Sequence, residues 1–138
     1  MKNLARFLVM ICLMLSGCSN EPKRVLAVGS ITVGGKPAEG AQILLHPQDE
    51  TKQVASAVAA ADGTFKLVSG GEPGILVGNY KVTVIWPDAS KKPTQAQIMM
   101  GTADVGPDLL KGKYAVKSQS SLTAEVTAGT TTLPPIAL

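Results

Sequence analysis

Apolar residues alternating in steps of two, cut off by glycine or proline roughly every 8 to 12 residues, most limit what this chain can fold into. The clearest run is 80–86, where Tyr80, Val82, Val84 and Trp86 oppose Lys81, Thr83 and Ile85, with Gly78-Asn79 before it and Pro87 after it. That spacing sends successive side chains to opposite faces and describes a half-buried strand. Similar runs occupy 26–33, closed by Gly34-Gly35-Lys36-Pro37, and 42–45, closed by Pro47. Residues 54–60 are alanine-rich, which by propensity favours helix, but they run straight into Asp62-Gly63, a strong hairpin signal. They are therefore expected to pair, across that turn, with 64–68, where Phe65 and Leu67 oppose Lys66. Residues 121–127 alternate again, and the tail 131–138 carries Pro134-Pro135, which confines it to a sheet edge or irregular structure. No stripe of 3.6-residue period is long enough to demand a major helix, and no 20- to 50-residue repeat points to a propeller or solenoid. The expectation is an all-β chain forming a single small β-sandwich of about seven strands.

Residues 88–113 break the pattern. A connection of 26 residues with scattered lysine, proline, glycine and methionine is longer than compact domains usually use without a function for it. Asp108-Leu109-Leu110-Lys111 before Gly112 fits one helical turn with a glycine end, and Met99-Met100 fits either an adaptable apolar contact or a tuck onto the sandwich.

The N-terminus has a different character. Lys2 and Arg6 precede an apolar run over 7–15, then Ser16, Gly17 and Cys18. Nine residues rise only about 14 Å as a helix, roughly half the hydrocarbon thickness, so the run is not a transmembrane span. The order of charge, apolar core and small residues is that of a signal peptide, and Leu15-Ser16-Gly17-Cys18 resembles the lipobox of bacterial lipoproteins. That resemblance implies cleavage before Cys18, diacylglycerol on its sulfur and acylation of its new amino group, giving a membrane anchor through lipid. Residues 1–17 are then the signal peptide, 18–24 a tether and 25–138 the domain. Ser19 after the lipidated cysteine, rather than aspartate, favours the periplasmic face of the outer membrane under the Gram-negative sorting rule.

Cleavage also changes the charge. The whole chain carries 13 Lys+Arg against 10 Asp+Glu, and losing Lys2 and Arg6 leaves 11 against 10. A near-neutral domain lacks the basic face a nucleic-acid binder needs, so no nucleic-acid partner is expected. With Cys12 in the leader and Cys18 lipidated, no thiol pair remains for a disulfide, redox or zinc site.

Three motifs taken together, Val28-Gly29-Ser30-Ile31-Thr32 with Gly35-Lys36-Pro37-Ala38-Glu39-Gly40-Ala41-Gln42-Ile43, then Ala61-Asp62-Gly63-Thr64-Phe65-Lys66-Leu67, then Gly78-Asn79-Tyr80-Lys81-Val82-Thr83-Val84, resemble the carboxypeptidase regulatory-like (transthyretin-like) β-sandwich domain. Lys113-Tyr114 with 120–126 and Ala128-Gly129 is similar to the C-terminal pattern of small lipoproteins abundant in planctomycete-type bacteria. Each motif residue has a structural task in a sheet or turn, so the resemblance implies a fold and almost no chemistry. Hydrolases of the transthyretin fold use several histidines, an arginine and a Tyr-Arg-Gly-Ser-like C-terminus. This chain has only His46, retains only Arg24 after cleavage, and ends Pro134-Pro135-Ile136-Ala137-Leu138.

His46 before Pro47 is the one candidate for an atypical hydrolase, without a Gly-x-Ser-x-Gly elbow to support it. Asp49-Glu50, Asp62, Asp104 and Asp108 lack the dense spacing of a calcium loop, and Gly70-Gly71-Glu72-Pro73-Gly74 lacks the following Lys-Ser/Thr of a phosphate cradle. Neither a metal nor a cofactor is expected. Trp86, Tyr80 and Tyr114 invite a carbohydrate platform, although a shared face makes Tyr80 and Trp86 simpler as core. The expected function is a non-enzymatic structural or binding module, lipid-anchored at the cell envelope, with an envelope protein or a glycan as partner and 88–113 as its contact surface.

Overall fold

A computed structural model describes residues 23–91, 93–101 and 106–138. It is an all-β sandwich. Its strands in chain order are β1 (Arg24–Val25), β2 (Val28–Val33), β3 (Lys36–Pro37), β4 (Gln42–Pro47), β5 (Ala55–Val58), β6 (Thr64–Lys66), β7 (Val68–Ser69), β8 (Glu72–Pro73), β9 (Ile75–Leu76), β10 (Gly78–Ile85), β11 (Thr123–Val126) and β12 (Ile136–Ala137). One sheet has the order β11-β10-β4-β5-β7-β8. The other is built on β2, which pairs with β12, β3 and β6, while β1 and β9 form a separate short ladder. Several strands beyond the expected seven are two-residue ladders at turns.

The step-of-two pattern determines which side chains meet. Tyr80, Val82 and Val84 of β10 point inward with Ile43 and Leu45 of β4, and all are buried. In the alanine-rich stretch, Ala55, Ala57 and Ala59 are buried while Ser56, Val58 and Ala60 are exposed. Alternate burial outweighs alanine's helical propensity here, because only a strand puts those three residues on one face of the core. On the opposing sheet Ile31 and Phe65 are buried. Gly29 pairs with Phe65 across β2 and β6, and a Cβ at Gly29 would run into the Phe65 ring, so the ring lies over the space the glycine leaves.

The Asp62-Gly63 turn forms, but the strands it joins belong to different sheets. Asp62 Oδ1 accepts from the Thr64 backbone N–H at 2.9 Å and from its hydroxyl at 2.6 Å. Gly63, at φ +80°, presents its carbonyl to the Ile31 N–H at 2.9 Å, close enough to β2 that a Cβ would strike the Ile31 carbonyl. The expected partner of 64–68 was 54–60; the observed partner of β6 is β2. The chain then crosses at buried Leu67 to β7, which pairs with β5. A two-stranded hairpin would have left one face of Phe65 and Leu67 in water, whereas the crossing buries both.

The tail lies at an edge, as Pro134-Pro135 requires. β12 runs parallel to β2, Leu133 N–H donates to Val28 O at 2.8 Å, and Leu138 N–H donates to Thr32 O at 2.9 Å, with the two prolines between these anchor points.

The sandwich has two distinct ends. At one, Arg24 pairs with Leu76 and Val126 with Gly78, the first residue of β10. At the other, Ile85 meets Gln42, and the 34–40 turns approach Trp86. The eight residues of β10 separate them by about 26 Å.

Candidate functional site

The end of β10 farther from residue 24 carries a cleft of about 500 Å³ lined by Pro37, Glu39, Gly40, Trp86, Pro87, Asp88, Ala89, Pro93 and Leu109. Three separate bonds hold Trp86. Its indole Nε1–H donates to Glu39 O at 2.9 Å, its backbone N–H to Asp108 Oδ1 at 2.9 Å, and its carbonyl accepts from Leu109 N–H at 2.8 Å. The side chain is half-buried and packs against the core on one side while lining the cleft.

The same bonds close the long connection at its base. A bridge joins Pro87 to Asp108, and Asp88 N–H donates to Pro107 O at 3.1 Å, so the connection leaves and rejoins the sandwich at adjoining points. Asp108 is the latch. Besides Trp86, its Oδ1 accepts from Leu110 N–H at 3.0 Å and its Oδ2 from Gly112 N–H at 2.9 Å. The expected single turn at 108–111 is present as a hydrogen-bonded turn, with Lys111 N–H donating to Asp108 O at 2.9 Å. From there the chain returns along β10, and Val84 and Val82 donate their N–H groups to Tyr114 O and Leu122 O.

Within the loop, Ala89–Lys91 is a 3-10 turn, and Gln95–Met99 is a short helix, α1, that the residue pattern above did not anticipate. Its signal was Thr94-Gln95-Ala96-Gln97 after Pro93: Thr94 and Gln97 form a reciprocal capping box. No residue of α1 is buried, and Ile98, Met99 and Met100 are 52%, 82% and 78% exposed, so the methionines do not tuck onto the sandwich.

The charged groups described at the cleft are acidic. Hydrogen bonds from the Ser90 hydroxyl and backbone N–H hold the Asp88 carboxyl below its ordinary range, with nearby Lys91 adding to the effect. Both bonds fall on Oδ1, and Glu39 lies exposed at the cleft wall. Glu39 and Asp88 are the site residues that sequence reasoning missed, because Glu39 comes to the cleft through the Trp86 indole bond, 47 positions away.

The three aromatic residues are not brought together. Tyr80 is 1% exposed, and its hydroxyl donates to Leu76 O at 2.7 Å; burial, and secondarily the Asp49 charge, pushes its pKa up. Tyr114 is half-buried with Lys113 Nζ 5.1 Å from its ring centre. Only Trp86 lines the cleft.

His46 sits elsewhere, on the outer face of the larger sheet opposite Lys81. Its Nε2 shares a hydrogen bond of 3.0 Å with Thr83 Oγ1, and partial burial, then the Lys117 charge, lowers its pKa. No carboxylate is bonded to the ring among the described residues, so it lacks the orienting acid of a triad. Asp49 and Asp62 close local turns on Thr51 and Thr64, and no group of three or more metal-ligating side chains forms among the described residues. Gly70-Gly71 is the tip between β7 and β8. Cys18 and Asp104 lie outside the described residues. Among the described residues, no helix is long and apolar enough to cross a membrane. No family model, curated protein or solved structure matches the chain.

Proposed function

We propose that the chain is a non-enzymatic binding module of the cell envelope, anchored by lipid on Cys18 to the periplasmic face of the outer membrane and using the Trp86 end as its contact surface. The observation that carries this reading is the polarity of the sandwich. Residue 24, where the tether joins the domain, pairs next to the start of β10, while the cleft lies at its far end, where the connection that carries the exposed Ile98, Met99 and Met100 is rooted. A module fixed at one end and bearing its cleft and apolar tip at the other has the layout of a presenter. The resemblance to carboxypeptidase regulatory-like domains supports a fold used as a module, and the lipobox-like Leu15-Ser16-Gly17-Cys18 supports the anchor. The hydrolase reading has less support, because His46 is engaged by a threonine on another face.

Two measurements test the proposal. Cys18→Ala is expected to lose the acyl mass and leave the membrane fraction; unchanged fractionation would refute the anchor. Deleting residues 98–106 is expected to leave the fold intact, since the latch at Asp108 lies outside the deletion, and to abolish cross-links formed in cells by a photoreactive residue at position 95. An undiminished cross-linked set would refute the contact surface.

A further inference from the structure

We infer that the cleft beside Trp86 binds a neutral saccharide, one ring of which stacks on the indole. This deepens the binding-module reading and rests on it. A pyranose face offers slightly positive C–H groups, which suit the negative face of an indole, and its rim of hydroxyls needs hydrogen-bond acceptors. The cleft offers both. Trp86 lines one wall, and the acidic residues Glu39 and Asp88 belong to the lining, with Asp88 Oδ2 outside the Ser90 turn. Carboxylate acceptors give stronger bonds to hydroxyls than neutral ones do. The volume of about 500 Å³ is in the usual range for small-molecule sites.

The surroundings select against other occupants. Acidic sugars and phosphates would meet two acidic residues and no cation among the described lining residues, with Lys91 beside Asp88 offsetting only part of that charge. A peptide adding as a strand needs free backbone groups, but Trp86 N–H, Trp86 O and Asp88 N–H are taken by Asp108, Leu109 and Pro107. The bonds that hold Trp86 also keep its indole oriented before a ligand arrives, so stacking orders little that is not already ordered.

Trp86 is the only tryptophan, so its emission reports this site directly. The full chain, in a detergent without a sugar headgroup, is titrated with the tetramer of N-acetylglucosamine, maltotetraose, tetragalacturonate and a proline-rich decapeptide. A saturable change with at least one neutral tetrasaccharide and none with tetragalacturonate is expected. Glu39→Gln keeps the wall but removes a charge, and is expected to weaken that binding about tenfold, a loss of about 1.4 kcal/mol. Calorimetry on Trp86→Ala, with circular dichroism to establish that it folds, is expected to show no binding. The inference is overturned if neither neutral saccharide changes the emission at about 10 mM, if tetragalacturonate binds equally well, or if only the decapeptide saturates. If the saccharides fail while cross-links at position 95 persist, the saccharide falls and the binding module stands; if both fail, the contact surface falls with it.

Discussion

Gly29 pairs with Phe65 across β2 and β6, and the Phe65 ring fills the space that a Cβ at 29 would take. Gly29→Ala would force that ring off its position in a close-packed core, at about 1 to 3 kcal/mol. Urea unfolding should show the loss, and Phe65→Leu added to Gly29→Ala should recover part of it; an unchanged midpoint would mean the ring is free to move. His46 provides a second test at this scale. Partial burial, then the Lys117 charge, lowers its pKa in the fold, whereas an unfolded chain takes up the proton near pH 6.5. Below that pH the unfolded state binds more protons, so stability falls as pH drops from about 7.5 towards 5.5 and levels once the native ring is also protonated. Asp49, Asp62 and Asp88 have the same sign, but their contribution is lost only below their ordinary range near 3.8. Thermal midpoints for His46→Gln should be flatter than wild type between pH 7.5 and 5.5, and parallel curves would remove His46 as the cause.

Asp108 closes the base of the long connection that follows β10. Three backbone N–H groups converge on that carboxylate, and Asp108→Ala leaves them without it, at about 2 kcal/mol. Exchange of the Trp86, Leu110 and Gly112 amides should accelerate together, with faster proteolysis inside the loop, while amides in β4 keep their protection. Uniform acceleration everywhere would mean that the latch stabilises the whole sandwich instead. Such a closure is hard to read from sequence, because its donor is the backbone N–H of Trp86, which carries no residue-type signature, and its acceptor is an aspartate carboxylate 22 positions away. The strands were readable for the opposite reason: Tyr80, Val82 and Val84 report burial at every second residue. Phe65 and Leu67 also reported their burial correctly, but not that the chain changes sheets between them, since alternation fixes which side is buried and is silent about the partner. At the candidate site, Trp86 could be singled out from the sequence, whereas Glu39 and Asp88 look like ordinary loop acids until the fold brings them beside it. The helix α1 had a legible sign in Thr94 and Gln97, hidden by the irregular composition around it.

At the scale of the molecule, the tether and the sandwich together set an orientation. Residues 18–23 span at most about 20 Å when extended, too short to let the domain roam but long enough to let it tilt. On the proposed anchoring at Cys18, the end carrying Gly78 and Val126 would face the bilayer, and the far end of β10, where the connection that carries Met99 is rooted, would face away from it. Cysteine chemistry makes the proposed anchoring measurable: if Cys12 leaves with the leader and Cys18 is acylated, one introduced cysteine is the only free thiol of the mature protein. Spin labels at Ala128→Cys, next to the tether end, and at Met99→Cys, both exposed, can be compared in vesicles bearing nickel-chelating headgroups. Relaxation by the lipid-bound nickel should be strong at 128 and weak at 99. Lengthening the tether by about ten Gly/Ser residues should narrow the difference, because a flexible linker's reach grows with the square root of its length and frees the domain to turn. Equal relaxation in the wild-type tether would place both ends at the same height, and the Trp86 cleft would then face along the membrane rather than away from it.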